Sequence, residues 1–288
     1  MIKMILIDGK SLATKIRQRL KIEVDELKLK TGKVPGLATI LVGENPASQV
    51  YIRIKHKACE EGGINSIMVN LSADITFEKL SQEIEKLNSD ESIHGILLQL
   101  PIPKHLNAIE TIKKINPSKD VDGLHPINTG KLMIGIKSFI PCTPKGILTM
   151  LDEYNIDVKG KNVVLVNRSN LVGKPLIMLL LRRERSATLT VCHSFTKNLS
   201  NYTKNADILI VGIGKSKFIK KDMVKDGAVI IDVGTNRDEN SKLCGDVDFD
   251  DVKYKVHAIT PSPGGVGPMT VASLLENTLI AFKNFLIN

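Results

Sequence analysis

A chain of 288 residues with 42% hydrophobic and 25% charged residues has the balance of a folded globular protein, long enough to bury most of its apolar surface without disulfide staples. Its longest apolar runs, 208–213 and 228–233, have strand length, far below the about 20 residues of a membrane-crossing helix, and residues 1–9 lack the apolar core and cleavage site of a secretory leader, so a cytoplasmic location and no membrane partner are expected. The net charge of +9 suits a nucleic acid or an acidic small molecule, but scattered basic residues, 4% aromatics and no Trp supply no stacking platform for single strands, so no nucleic-acid partner is expected.

Helical and strand patterns alternate from end to end without an internal repeat, which predicts an α/β architecture with parallel sheets. Residues 11–30 carry Leu12, Ile16, Leu20, Val24 and Leu27 at helical spacing. A strand is expected over 37–42, then a helix over Pro46–Glu61 stopped by Gly62 and Gly63. In that helix Val50, Ile54 and Ala58 make an expected core stripe, with Tyr51, Lys55 and Cys59 along its edge. Strands over 64–71 and 93–98 flank a helix over 76–87. Residues 99–103 and 116–129 hold four prolines, two aspartates and a glycine. Such loops directly after strands are where an open α/β sheet binds its ligand.

Residues 131–144 lead into a second unit. Its strands are expected at Asn162–Val166, Thr188–Cys192, Ile208–Val211, 229–233 and 256–259, the rhythm of a Rossmann-like dinucleotide domain. A Gly/Pro loop, 260–268, and a closing helix, 270–286, follow. The expected fold class is α/β with two domains and an active-site cleft between them. Residues 1–140, joined by a C-terminal helix at about 270–288, make an α/β catalytic domain; residues 141–269 make a Rossmann-like, parallel-sheet dinucleotide domain.

Several segments carry candidate chemistry. A lysine at the edge of a core stripe, such as Lys55, loses solvation in a cleft wall and then exchanges protons near neutral pH, with Tyr51 one turn away to orient it. Arg53 and Lys57 beside it speak for a plain solvated face, the reading that local sequence alone favours. Gln99 stands where a strand meets Leu100-Pro101-Ile102-Pro103, and its amide both donates and accepts without charge. Asp120, Asp122, Gly123 and His125 match neither an EF-hand nor a zinc spacing, and Cys59, Cys142, Cys192 and Cys244 form no CxxC pair, so no metal is expected. Asp122 suits either an Asx turn or a grip on the N–H edge of a heterocycle.

Residues 166–175 follow a strand and open a helix, the setting for an anion at a helix N-terminus, although the pattern is not GxGxxG. Arg168 and Ser169 suit the 2′-phosphate of NADP. No acidic residue stands at Cys192-His193-Ser194 to grip a free ribose, which also points to NADP over NAD. Residues 261–268 pack three Gly and three Pro into eight positions, a loop stiff in places and open to close approach in others.

In this order the segments resemble the bifunctional methylenetetrahydrofolate dehydrogenase/methenyltetrahydrofolate cyclohydrolase family over essentially the whole chain. The resemblance runs from Ile7-Asp8-Gly9-Lys10 through residues 46–51 with Lys55, Gln99-Leu100-Pro101, 119–126, Pro141-Cys142-Thr143-Pro144 and Arg168-Ser169. It ends with Asp232-Val233-Gly234, residues 245–249 and the Pro/Gly loop. It implies oxidation of methylenetetrahydrofolate with NADP, then hydrolysis to 10-formyltetrahydrofolate, by a homodimer whose ligands are tetrahydrofolate derivatives. Lys55 would be the general acid/base, Gln99 would tune it, Tyr51 would place the folate and Asp122 would hold the pterin's amino edge. Ser48, Leu100, Pro263, Gly264 and Gly265 would join Tyr51, Gln99 and Asp122 in substrate binding. Arg168, Ser169 and Ser194 would contact the adenosine phosphate, with Asn167, Gly173, Gly212 and Thr235 completing the cofactor site.

The chain departs from the family pattern at Asn167, where Gly is usual, at Gly212 for Ala, at Ser216 for Pro and at Ser262 for Val. Asn tolerates left-handed backbone, which would preserve the turn at 167. The competing readings are an enzyme with one of the two activities, a catalytically silent folate binder, and a basic nucleic-acid-binding protein.

Overall fold

Val163–Val166 and Ile208–Val211 show no polar alternation, as strands covered on both faces require. The computed structural model describes residues 4–287. In chain order the elements are β1 (Ile5–Leu6), α1 (Gly9–Thr31), β2 (Gly36–Val42), α2 (Pro46–Glu61), β3 (Asn65–Leu71), α3 (Phe77–Ser89), β4 (Gly95–Leu98), α4 (Ala108–Ile112) and α5 (Pro126–Met133). There follow α6 (Cys142–Glu153), β5 (Asn162–Val166), α7 (Gly173–Leu180), β6 (Thr188–Cys192), α8 (Leu199–Thr203), β7 (Ile208–Val211) and β8 (Val229–Asp232). The chain closes with β9 (Asn236–Arg237), β10 (Leu243–Cys244), α9 (Phe249–Val252), β11 (Ala258–Ile259) and α10 (Val266–Ile287). They divide into two compact units: residues up to 13 with 143–270, and 14–142 with those from 271 onward.

The unit of residues 14–142 holds a three-stranded parallel sheet in the order β3-β2-β4. Central β2 is buried at every position, whereas β3 at the edge is partly exposed. Ile40, Leu80, Ile84 and Ile96 anchor its core. Asn45 starts α2 by accepting the Ser48 N–H, with Pro46 in the first turn, and the chain stops at Gly62 as its composition predicts.

The other unit holds a six-stranded parallel sheet in the order β1-β11-β8-β7-β5-β6. Its core centres on Val164, Leu209, Val211 and Ile230. β9 and β10 form a short antiparallel ribbon that the sequence reading did not anticipate. The N-terminus also departs from expectation. Ile5 and Leu6 pair in parallel with Ala258 and Ile259, so residues 4–13 group with the six-stranded sheet. A two-residue strand is too short to announce itself by periodicity. The closing helix starts at Val266 rather than 270, because Pro268 fits a first turn, where no helical partner awaits its missing N–H. Among the described residues no helix is long and apolar enough to cross a membrane, and no group of three or more His, Cys, Asp or Glu is placed to hold a metal ion.

Candidate active site

In each sheet the strand order turns back at one point: between β2 and β4 in the smaller sheet, between β5 and β7 in the larger. Ligands of open α/β sheets bind outside the carboxyl ends of strands at such points. At the smaller turn-back, α2 leaves β2 and brings Lys55 in on its third turn, while Gln99 follows the last residue of β4. The Gln99 N–H donates to the Ile40 carbonyl at 2.9 Å, extending the ladder by one residue. That bond holds its side chain at the sheet end. Lys55 Nζ donates to Gln99 Oε1 at 2.8 Å, and Gln99 Nε2 donates to the Leu100 carbonyl at 2.8 Å. The second bond decides which end of the amide faces the lysine.

The buried stripe of α2 differs from the expected one. Val50 and Ile54 are 49% and 50% exposed, and the buried residues are Ser48, Ile52, Ala58 and Cys59. Lys55 lies in line with Ser48, Ile52 and Cys59, on the buried face rather than at its edge. Spacing alone did not distinguish the two stripes, because both recur at helical period.

Asp122 reaches the same place from a loop beside β4. The Ile96 N–H donates to the Lys119 carbonyl at 2.7 Å, and Ile96 bridges Asp120 in parallel. Asp120 is buried and organises the loop, accepting from the N–H groups of Leu124 and His125 and from Asn128 Nδ2 at 3.2, 2.8 and 2.8 Å. Gly123 has φ +72°, and a Cβ there would stand 2.7 Å from the Pro141 nitrogen, so only glycine makes this turn. Asn277 of α10, which sequence reading missed, donates to the Val121 and Ile140 carbonyls at 2.8 and 3.0 Å. It braces both sides of the Asp122 loop. Its one sequence signal was a polar run, Glu276-Asn277-Thr278, in a mostly apolar helix.

Burial pushes the Lys55 ammonium below its ordinary pKa, and attraction to Asp122 opposes this. Burial pushes Asp122 up, against the pull of Lys55 and a hydrogen bond from the Cys142 thiol. The Cys59 thiol is itself pushed up to about 12 by burial, so it stays neutral. A lysine whose proton is loosened by desolvation, aimed by a neutral amide and flanked by a carboxylate, can give and take protons more readily than a solvated one. Tyr51 lies one turn before it, 40% exposed, and Leu100 packs partly buried on the core. His125 caps α5, its Nδ1 accepting from the Ile127 N–H at 3.1 Å, a structural duty.

The larger sheet carries the second set. Residues 167–172 connect β5 to α7, and Gly173 opens that helix. A Cβ at Gly173 would stand 2.5 Å from the Asn167 carbonyl oxygen, so glycine lets the helix N-terminus close onto the loop. Ser169 donates its N–H to Asn167 Oδ1 at 2.8 Å, and its Oγ accepts from the Val172 N–H at 3.1 Å. Asn167 lacks the expected left-handed backbone, since its φ is not positive. It is held by side-chain bonds instead. Arg168 is exposed, its guanidinium 5.6 Å from the centre of the Phe195 ring, which brings it beside the exposed Ser194. Phe195, 80% exposed, was not singled out in the sequence. Exposed Thr235 follows β8, and Gly212 follows β7. These residues fit a phosphorylated dinucleotide: a helix N-terminus closed by glycine, exposed hydroxyls and an accessible guanidinium.

Two buried aspartates, also unforeseen, shape this end of the sheet. Asp246 accepts the N–H groups of Ile213, Gly214 and Lys215 at 2.6, 3.2 and 2.7 Å, and Asn236 Nδ2 at 2.9 Å. Asp232 accepts those of Gly234, Asp246 and Val247, and burial pushes it up to about 6. The Pro263–Gly265 loop belongs to this same unit. Gly264 accepts the Lys10 N–H at 2.8 Å, and Ser262 Oγ donates to the Gly234 carbonyl at 2.9 Å. The candidate substrate residues therefore divide: Ser48, Tyr51, Gln99, Leu100 and Asp122 in one unit, Pro263, Gly264 and Gly265 in the other.

Two family models match the chain: tetrahydrofolate dehydrogenase/cyclohydrolase, catalytic domain, over residues 7–122, and the NAD(P)-binding domain of the same family over residues 141–286. The bifunctional protein FolD of Sulfurihydrogenibium sp. is 56% identical over 285 residues, covering 99% of each chain. The crystal structure of the bifunctional methylenetetrahydrofolate dehydrogenase/cyclohydrolase FolD from Campylobacter jejuni is 50% identical with a TM-score of 0.95, covering 98% of this chain and 99% of that one. A Trypanosoma brucei dehydrogenase-cyclohydrolase, solved with NADP and an inhibitor, is 37% identical with a TM-score of 0.95 over the full length of both chains.

Proposed function

The chain belongs to the tetrahydrofolate dehydrogenase/cyclohydrolase family, and from that premise we propose that NADP is its dinucleotide and Lys55 its proton-transfer group. It is a bifunctional enzyme of one-carbon metabolism: it oxidises 5,10-methylenetetrahydrofolate to the 5,10-methenyl form and hydrolyses that to 10-formyltetrahydrofolate. The bifunctional reading prevails over an enzyme with one activity. The observation that carries the proton-transfer assignment is the 2.8 Å bond from Lys55 to Gln99 beside Asp122, with burial loosening the lysine's proton.

A nicotinamide dinucleotide, when bound, would supply the acceptor for the hydride that leaves the methylene carbon. For this step the protein binds and orients. Arg168, Ser169 and Ser194 take the adenosine 2′-phosphate, and Asn167, Gly173, Gly212 and Thr235 shape the rest of the cofactor site. Charge-assisted bonds from a planar guanidinium to that phosphate select NADP over NAD. Pro263, Gly264 and Gly265 join substrate binding through backbone that a ring can approach closely.

For hydrolysis, neutral Lys55 accepts a proton from the water that adds to the methenyl carbon. The same ammonium then protonates the ring nitrogen as its bond to that carbon breaks, and the hydroxyl on the carbon releases its remaining proton to solvent, leaving the formyl group on the other nitrogen. Gln99 keeps Nζ aimed through both exchanges, because its acceptor oxygen serves the lysine in either protonation state. Asp122 grips the pterin's amino edge, Tyr51 packs on the folate, and Ser48 and Leu100 complete its site. A homodimer in the cytoplasm is part of the same proposal.

The test is incubation with methylenetetrahydrofolate and NADP or NAD, following reduced cofactor and assaying methenyl- and formyl-folate after quenching. Reduced NADP with formyl-folate as end product is expected. Accumulating methenyl-folate would remove Lys55 from its assigned role, and equal rates with NAD would remove Arg168 from its own.

A further inference from the structure

The Asn167 amide and the bare Cα of Gly212 fit one another, and we propose that they are a matched pair flooring the dinucleotide crevice, with Asn167 a positioning residue for the phosphate loop. The proposal rests on the reading of this unit as dinucleotide-binding. β5 and β7 are the neighbours between which the larger sheet turns back, so their carboxyl ends frame the place where a dinucleotide lands. The Gly212 N–H donates to the Val166 carbonyl at 3.2 Å. One residue on, Asn167 Nδ2 donates back to the Gly212 carbonyl, so the two strand ends are tied twice.

The other end of the same amide accepts the Ser169 N–H at 2.8 Å. A single side chain thus joins the end of β7 to the loop that carries Arg168. Ser169 relays the restraint, since its Oγ accepts the Val172 N–H at 3.1 Å and its carbonyl the Lys174 N–H at 3.0 Å. Beyond Gly212, the N–H groups of Ile213, Gly214 and Lys215 are pinned by Asp246, so the carbonyl that Asn167 holds belongs to a backbone already fixed on its far side.

Space makes the two positions depend on each other. A Cβ at position 212 would stand 3.0 Å from Asn167 Nδ2 and 3.3 Å from Val233 Cβ, tighter than ordinary contact. The amide occupies the room that any side chain at 212 would need. Both amide ends are spent on backbone, so the pair adds no charge to the crevice. It sets geometry, and its loss weakens binding more than the chemical step.

The measurement is NADP affinity by fluorescence titration of the full chain for Asn167→Ala, Gly212→Ala and the double variant. KM and kcat of dehydrogenation and the ligand-free melting temperature are taken alongside. Each single change is expected to weaken NADP binding roughly three- to tenfold, the worth of one or two neutral hydrogen bonds, with KM rising more than kcat falls. The double variant is expected to bind no more weakly than Asn167→Ala alone, because the new methyl no longer meets an amide. Additive losses, or unchanged affinity in both single variants, overturn the pairing. Wild-type protein that binds neither NADP nor NAD overturns the dinucleotide reading itself, a result distinguishable from variants that bind as the wild type does.

Discussion

The two turn-back points have the same topology and opposite chemistry. At the smaller sheet the ionisable groups face one another: Lys55 and Asp122 are desolvated, each pulls the other's pKa toward its ordinary value, and a neutral amide aims the lysine. At the larger sheet the buried carboxylates Asp232 and Asp246 are spent on backbone N–H groups, and the charge offered to a ligand is the exposed Arg168. Proton transfer needs a group whose proton is easily moved, which burial supplies. Phosphate binding needs a permanent charge and rigid donors, which an accessible guanidinium and a wired loop supply. One architecture therefore suits acid–base work or anion recognition according to which groups lose their water.

The contrast is easiest to break at Lys55. Lys55→Met is expected to lower hydrolysis of methenyltetrahydrofolate roughly a hundred- to ten-thousand-fold while NADP binding persists. Stopped-flow hydrolysis and a binding titration on one sample check both, and a parallel loss of NADP binding would show the two crevices to be one functional unit. Arg168→Ala is expected to raise KM for NADP about ten- to a hundredfold and to leave KM for NAD nearly where it was, since a bond to a charged group is worth about 1.5–3 kcal/mol. Steady-state kinetics with both cofactors decides this.

The hydrolysis rate is expected to rise with pH as Lys55 loses its proton and to level off below the lysine's ordinary 10.5. Gln99→Glu places a negative charge on the ammonium and is expected to move that limb upward by about one to three pH units. An unmoved pH–rate profile would detach Gln99 from Lys55. Asn277→Leu is expected to cost about 1–3 kcal/mol in urea melts, because the Val121 and Ile140 carbonyls lose their donor.

Each unit also holds one carboxylate raised to about 6 by burial, Asp120 in one and Asp232 in the other. A raised folded-state pKa favours the protonated form. Its stabilisation is present in full below the unfolded value of 3.8 and is lost as pH rises through about 6. Melts between pH 3.8 and 6 should show the fall, and Asp120→Asn and Asp232→Asn should each remove part of it.

Much of this was written in local pattern. The largely apolar runs of β2, β5, β7 and β8 announce strands covered on both faces, and Asn45-Pro46 with Gly62 mark the ends of α2. Gln99 and the Arg168-Ser169 loop stood out as candidates because each follows a strand at a break in periodicity, whereas residues 116–129, expected directly after a strand, follow the short helix α4, and Asp122 stood out by its neighbour Gly123. Local pattern did not say which face of α2 is buried, since Val50-Ile54-Ala58 and Ser48-Ile52-Cys59 both recur at helical period. Nor did it anticipate β1 joining β11, the brace from Asn277 to Val121, or the duties of Asp232 and Asp246.

Chain order and residue type by themselves determined the alternation of elements, the family resemblance and which residues became candidates for the site. Tertiary structure alone decided which of those groups lose their water and which backbone atoms meet. Desolvation and hydrogen bonding act between neighbours in space: Gln99 lies 44 residues along the chain from Lys55, Gly212 45 from Asn167, and Asn277 156 from the Val121 carbonyl it braces.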